Sequence, residues 1–164
     1  MKPVPHRAAA PLMDLKSNLP PQVELISRRI HQRLAGQLKM DSHRLRVAVL
    51  DDDQSVRTAI GRLLTASDMA AESFATSMEL FTFLSRDRLD CLILDLQMPG
   101  MTGLDVLNYL GQVGIRLPIL IITAHDEPET CEACVKAGAF SYLRKPLDAG
   151  ELLTAIADAV TARR

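Results

Sequence analysis

Three uninterrupted apolar runs, Val47-Ala48-Val49-Leu50, Cys91-Leu92-Ile93-Leu94 and Ile119-Leu120-Ile121-Ile122, constrain this chain more than any other feature. A strand with one wet face alternates apolar and polar residues, whereas a strand covered on both faces is apolar throughout. Three such runs therefore predict a parallel sheet sandwiched between helices. Weaker strand candidates are Ala70–Phe74 and Phe140–Leu143. Helical spacing marks Val56–Leu64, Ser77–Leu84, Leu104–Leu110, Thr130–Ala137 and Leu152–Val160. Val56, Ile60, Leu63 and Leu64 form one buried helix face, and Leu152, Leu153, Ile156 and Val160 another. Thr76-Ser77-Met78-Glu79 has capping-box spacing and places a helix start just after Thr76. Five strands alternating with five helices predict a doubly wound α/β sandwich.

In such a sheet all strand C-termini point to one edge, where ligands bind. The residues at those ends are therefore the informative ones. The first run ends in Asp51-Asp52-Asp53, and the next strong run continues into Asp95-Leu96-Gln97-Met98-Pro99-Gly100. The run from Ile119 ends in Thr123-Ala124, and the last strand candidate leads to Lys145-Pro146. Carboxylates about 4 Å apart repel by roughly 4 kcal/mol at an effective dielectric near 20, so the cluster needs a proton or a cation. Hard oxygen donors without converging Cys or His favour Mg²⁺ over zinc. Lys145 and Thr123 are then donors for a phosphoryl group. Taken singly, each element is an ordinary turn or cap; their joint occurrence at successive strand ends points to phosphoryl transfer onto a carboxylate.

The order and wording of these motifs resemble the receiver domain of two-component response regulators. The likeness rests on Leu50-Asp51-Asp52-Asp53, Leu94-Asp95 through Gly103, Ile122-Thr123-Ala124, Val135-Lys136-Ala137-Gly138-Ala139 and Leu143-Arg144-Lys145-Pro146, and covers about residues 45–162. It implies a flavodoxin-like five-stranded sheet of order 2-1-3-4-5. It implies phosphorylation of Asp95 by a sensor histidine kinase or phosphotransfer protein. Mg²⁺ would be bound by Asp52, Asp95 and the backbone carbonyl of Gln97, with Asp51 acting mainly through water. Thr123 and Lys145 would hold the phosphoryl oxygens, Thr123 and Tyr142 would form the switch, and Pro146 would follow a cis peptide. The only catalysis implied is of the protein's own phosphoryl transfer and dephosphorylation. Gln97 and His125 would tune hydrolysis. The implied output is contact with a downstream effector protein, and homodimerisation through the fourth helix, fifth strand and fifth helix is a further implied contact.

The receiver-like segment, taken as 45–164, leaves residues 1–44 as a separate extension. Five of the nine prolines fall in its first 21 residues, and an amphipathic helix is expected over about 22–39, with Val23, Ile26, Ile30 and Leu34 on its stripe. The extension carries eight basic and three acidic residues, a charge of +5, and the remainder carries eleven and seventeen, a charge of −6. The near-neutral total thus hides a split. Its readings are a satellite helix, a dimerising or partner-binding segment, a contact with anionic membrane, or a start of translation at Met40.

Composition narrows the field further. The absence of tryptophan, with two tyrosines and four phenylalanines, argues against a stacking platform for single-stranded nucleic acid. No apolar run approaches the roughly 18 residues of a membrane span, and three cysteines supply no disulfide framework, so a cytoplasmic protein is expected. Cys131-Glu132-Ala133-Cys134 lacks a second pair and is read as packing or surface. The leading function is a stand-alone phosphoacceptor switch, since 19 residues after Lys145 accommodate only a last helix. The alternatives are a nucleic-acid-binding regulator using Arg28, Arg29 and Arg33, which a single helix makes a weak reader, and a phosphate sink or relay intermediate.

Overall fold

The computed structural model describes residues 44–163 apart from Asp126. The helix expected over 22–39, the proposed start at Met40 and all of the extension except Arg44 lie outside the described residues. The elements follow in strict alternation. They are β1 (Arg46–Leu50), α1 (Gln54–Ala66), β2 (Ala70–Phe74), α2 (Ser77–Leu84), β3 (Cys91–Asp95), α3 (Gly103–Gln112), β4 (Ile119–Thr123), α4 (Pro128–Lys136), β5 (Ser141–Arg144) and α5 (Ala149–Ala162). All pairings are parallel and the sheet order is β2-β1-β3-β4-β5, the expected flavodoxin-like topology.

The continuous apolar runs are the central strands β1, β3 and β4, and alternate residues within them feed two cores. Val47, Val49, Ile93, Leu120 and Ile122 pack with Ile60 and Leu64 of α1 and Leu152, Ile156 and Ala159 of α5. Ala48, Leu50, Leu92, Leu94 and Ile121 pack on the other face with Leu80, Phe81, Val106, Tyr109 and Cys134, from α2, α3 and α4. The edge strands were the weaker sequence signals for a physical reason. β2 has alternating half-buried and exposed positions, and β5 buries only Leu143.

Helix starts lie ahead of the apolar periodicity because the first turns are polar and held by caps. Asp53 accepts from Ser55 N at 2.7 Å and opens α1; Asp148 accepts from Glu151 N at 2.9 Å and opens α5. The Thr76/Glu79 capping box forms as expected. A second box, Thr102 with Asp105, opens α3. At the far end of β1, Arg44 pairs with Asp68 at 3.1 Å, so the chain enters the fold beside the foot of α1.

Candidate phosphoacceptor site

Asp51 immediately follows β1, and Asp95 is the last residue of β3; both are buried, at 1% and 3% exposure. Exposed Asp52 completes the group, with one oxygen from each of the three acids lying within 4.8 Å of the others. Lys145 comes from the end of β5, across the sheet. Its Nζ donates to Asp51 Oδ2 at 2.8 Å and to Asp95 Oδ1 at 2.9 Å. Its backbone is fixed by donation from Lys145 N to Thr123 O at 2.7 Å, and the Lys145–Pro146 peptide is cis, as expected.

The remaining oxygens of the buried acids are also engaged. Asp53 N donates to Asp51 Oδ1 at 2.8 Å, and Gln97 N donates to Asp95 Oδ2 at 3.0 Å. Burial pushes the Asp95 carboxyl above its ordinary range; the hydrogen bond and charge of Lys145 pull it back, the Asp51 charge adds to the rise, and Gln97 N opposes it. For Lys145, burial favours the neutral amine, but the hydrogen bonds and charges of Asp51 and Asp95 win and hold the ammonium above the usual lysine range. Three carboxylates facing one ammonium leave the cluster net negative. An all-oxygen donor set of this size fits a hard divalent cation.

Thr123 and Tyr142 meet at one atom. The Thr123 hydroxyl donates to His125 O at 3.0 Å, and the Tyr142 hydroxyl donates to the same carbonyl at 3.1 Å. Thr123 Oγ1 also accepts from His125 N at 3.2 Å, so its hydroxyl is turned toward the loop after β4. His125 Nδ1 lies 3.0 Å from Gln97 Oε1, which ties that loop to the one after β3. The structure thus gathers Asp51, Asp52, Asp95, Gln97 and Lys145 at the strand ends, with Thr123 and Tyr142 coupled beside them.

Residues 47–157 match the family model of the response regulator receiver domain. The chain belongs to that family. Response regulator protein TodT of Pseudomonas putida is 36% identical over 110 residues, 67% of this chain and 48% of that protein. Response regulator MprA of Mycobacterium leprae is 38% identical over 112 residues, covering 68% and 49%. DNA-binding transcriptional regulator NtrC of Klebsiella pneumoniae is 34% identical over 113 residues, covering 69% and 24%. The chain therefore spans about half or less of these relatives. Among solved structures, a response regulator receiver protein from Burkholderia phymatum is 38% identical with a TM-score of 0.65, covering 72% of this chain and 96% of that one. A receiver domain protein from Clostridium thermocellum is 29% identical with a TM-score of 0.68, covering 73% and 96%.

Three supports of this receiver site were not identified in the sequence reading. Arg57 of α1 folds back so that Nη1 donates to Asp51 O at 2.7 Å and Asp52 O at 2.8 Å, clamping the acidic turn. A cation in the first turn of a helix opposes the helix dipole, and that misplaced charge was the available signal. A Cβ on Gly103 would collide with Asp95 O and come within 2.8 Å of Leu96 Cα, so glycine lets α3 start directly behind the end of β3. The third support, the shared His125 carbonyl, is a backbone atom and leaves no side-chain signature.

Cys134 is buried and Cys131 half-buried on α4, with all three cysteines free. Burial pushes the Cys91 thiol up to about 12 and also raises Cys134, which suits packing roles. Among the described residues no helix is long and apolar enough to cross a membrane.

Proposed function

We propose that this receiver accepts a phosphoryl group on Asp95 from a phosphohistidine kinase or phosphotransfer protein, with Mg²⁺, and signals by a change in protein contacts. The observation that carries the reading is the Lys145 ammonium held between two buried carboxylates, one of them at the end of the central strand β3. Asp51, Asp52, Asp95 and the Gln97 carbonyl would hold Mg²⁺, which when bound supplies charge neutralisation for the incoming phosphoryl oxygens. A carboxylate oxygen of Asp95 attacks phosphorus, forming an O–P bond as the N–P bond of the donor breaks, and the departing imidazole nitrogen takes a proton from solvent water. Burial favours this role, because it keeps water from competing for the acyl phosphate. Lys145 exchanges its hydrogen bond to the Asp95 carboxylate for one to a phosphoryl oxygen.

Thr123 supplies the second donor by rotating its hydroxyl away from His125 O. That rotation removes one of the two hydroxyls on a single carbonyl and alters the seat of Tyr142. Shifting a two-state domain from 1:99 to 99:1 takes about 5.5 kcal/mol. Two hydrogen bonds to a charged group, at roughly 1.5–3 kcal/mol each, are of that size. The face of α4, β5 and α5 then presents a different surface to an effector or a second copy.

Beryllofluoride, a stand-in for the phosphoryl group, tests this reading. With Mg²⁺ it should move the Thr123, His125 and Tyr142 resonances of the wild type and leave those of Thr123→Ala at His125 and Tyr142 nearly still. Equal shifts in both proteins would refute the coupling through Thr123.

A further inference from the structure

An apolar groove of about 390 Å³ lies between α1 and the start of α5, lined by Val56, Ala59, Ile60 and Leu63 on one side and by Ala149 and Leu152 on the other. Pro146 and Leu147 wall its far side, and the Lys145 side chain closes its head. These α1 positions follow the i, i+3, i+4, i+7 stripe of a helix that faces apolar neighbours. Ile60 is buried in the domain's own core, while Val56 and Leu63 are only half covered and Ala59 is exposed.

We propose that residues 22–39 of this same chain dock into this groove as a helix, with Val23, Ile26, Ile30 and Leu34 as the buried stripe. The point of entry supports this occupant. Arg44 is held to Asp68, two residues beyond the end of α1, by the 3.1 Å ion pair and by Nε donation to Asp68 O at 2.9 Å. The preceding chain therefore starts at the foot of the helix that lines one side of the groove. Residues 40–43 span at most about 14 Å when extended. An 18-residue helix is about 27 Å long and α1 about 20 Å, so the segment overlies the groove without strain on the connection. So short a tether gives an effective concentration in the millimolar range, which favours this segment over an untethered occupant.

Charge agrees with the same placement. The segment carries Arg28, Arg29, Arg33 and Lys39 against Glu24. Exposed Asp52 and Asp53 on the turn before α1, with the α5 cap Asp148 and Glu151 in the first turn of α5, stand at the head of the groove.

Methyl spectra of the full chain and of its Ile26→Asp/Ile30→Asp variant test the proposal. The wild type should show nuclear Overhauser contacts between the Ile26 and Ile30 methyls and those of Leu63 and Leu147. The variant should lose them and shift the Val56 and Leu63 methyls, with both proteins monomeric. Unchanged Val56 and Leu63 methyls in the variant would overturn it. So would contacts that fade on dilution, which would assign the groove to a second copy. Either result leaves phosphorylation of Asp95 untouched as a separate question.

Discussion

Replacing Lys145 by methionine removes the ammonium that sits 2.8 Å from Asp51 Oδ2 and 2.9 Å from Asp95 Oδ1. Both carboxylates are almost wholly buried, so water cannot take its place in full. At the 4.8 Å limit of the cluster, two carboxylates repel by about 3.5 kcal/mol at an effective dielectric of 20. Stripping one partner from a buried ion pair costs about 3–5 kcal/mol. These figures describe largely the same penalty, and the 22% exposure of the lysine side chain places the expected loss near the lower end, about 3 kcal/mol at neutral pH without metal. The pH dependence has a definite sign. Burial already raises the Asp95 carboxyl and Lys145 pulls it back, so the variant's Asp95 is raised further, and the deficit is nearly absent below the ordinary carboxylate range and grows as pH rises through the raised value. Urea unfolding should therefore show a loss of about 3 kcal/mol at pH 7.5 that shrinks to about 1 kcal/mol or less near pH 4. Added Mg²⁺ should recover much of the loss at pH 7.5. A deficit equal at both pH values, or no deficit at all, would refute this electrostatic description of the site.

Other outcomes follow from the same contacts. Gly103→Ala forces a Cβ against the backbone of Asp95 and should cost about 1–3 kcal/mol in urea unfolding, with slower phosphoryl uptake at Asp95. Thr102→Ala removes the capping hydroxyl of α3 and should cost about 1 kcal/mol by the same assay, leaving uptake within a factor of two. Arg57→Met frees the carbonyls of Asp51 and Asp52 and should speed hydrogen exchange at the Asp53 amide in metal-free protein. A thiol reagent at neutral pH should label Cys131 quickly and reach Cys91 and Cys134 only on unfolding. Asp53 is held below the usual carboxylate range by Ser55, so its cap is intact above the unfolded pKa and lost as pH falls through the folded value. Asp53→Asn should abolish that part of the acid response.

The central strands were legible because covering both faces of a parallel sheet demands unbroken apolar sequence, and their ends located Asp51, Asp95 and Thr123. The edges were harder. Ala71 and Ser73 lie exposed on β2, and β5 starts at Ser141, one residue beyond Phe140 at 42% exposure. Tertiary pairing, not composition, defines such strands. Helix starts such as Gln54 and Ala149 were missed because the caps Asp53 and Asp148 replace apolar periodicity there. At the site, side-chain chemistry was readable and backbone chemistry was not. Nothing in the identities of Thr123 and Tyr142 says that both hydroxyls converge on His125 O, and nothing in Arg57 alone says that it spans two carbonyls.

Asp95 as the phosphoryl acceptor is tested most directly by one labelling measurement. Incubated with acetyl phosphate and Mg²⁺, the full chain should gain the mass of a single phosphoryl group, and fragmentation should place it on Asp95. Asp95→Asn should stay unlabelled, as should the wild type after chelation of Mg²⁺. Equal labelling of Asp95→Asn, or a phosphoryl group found on Asp51 or Asp52 of the wild type, would contradict the account.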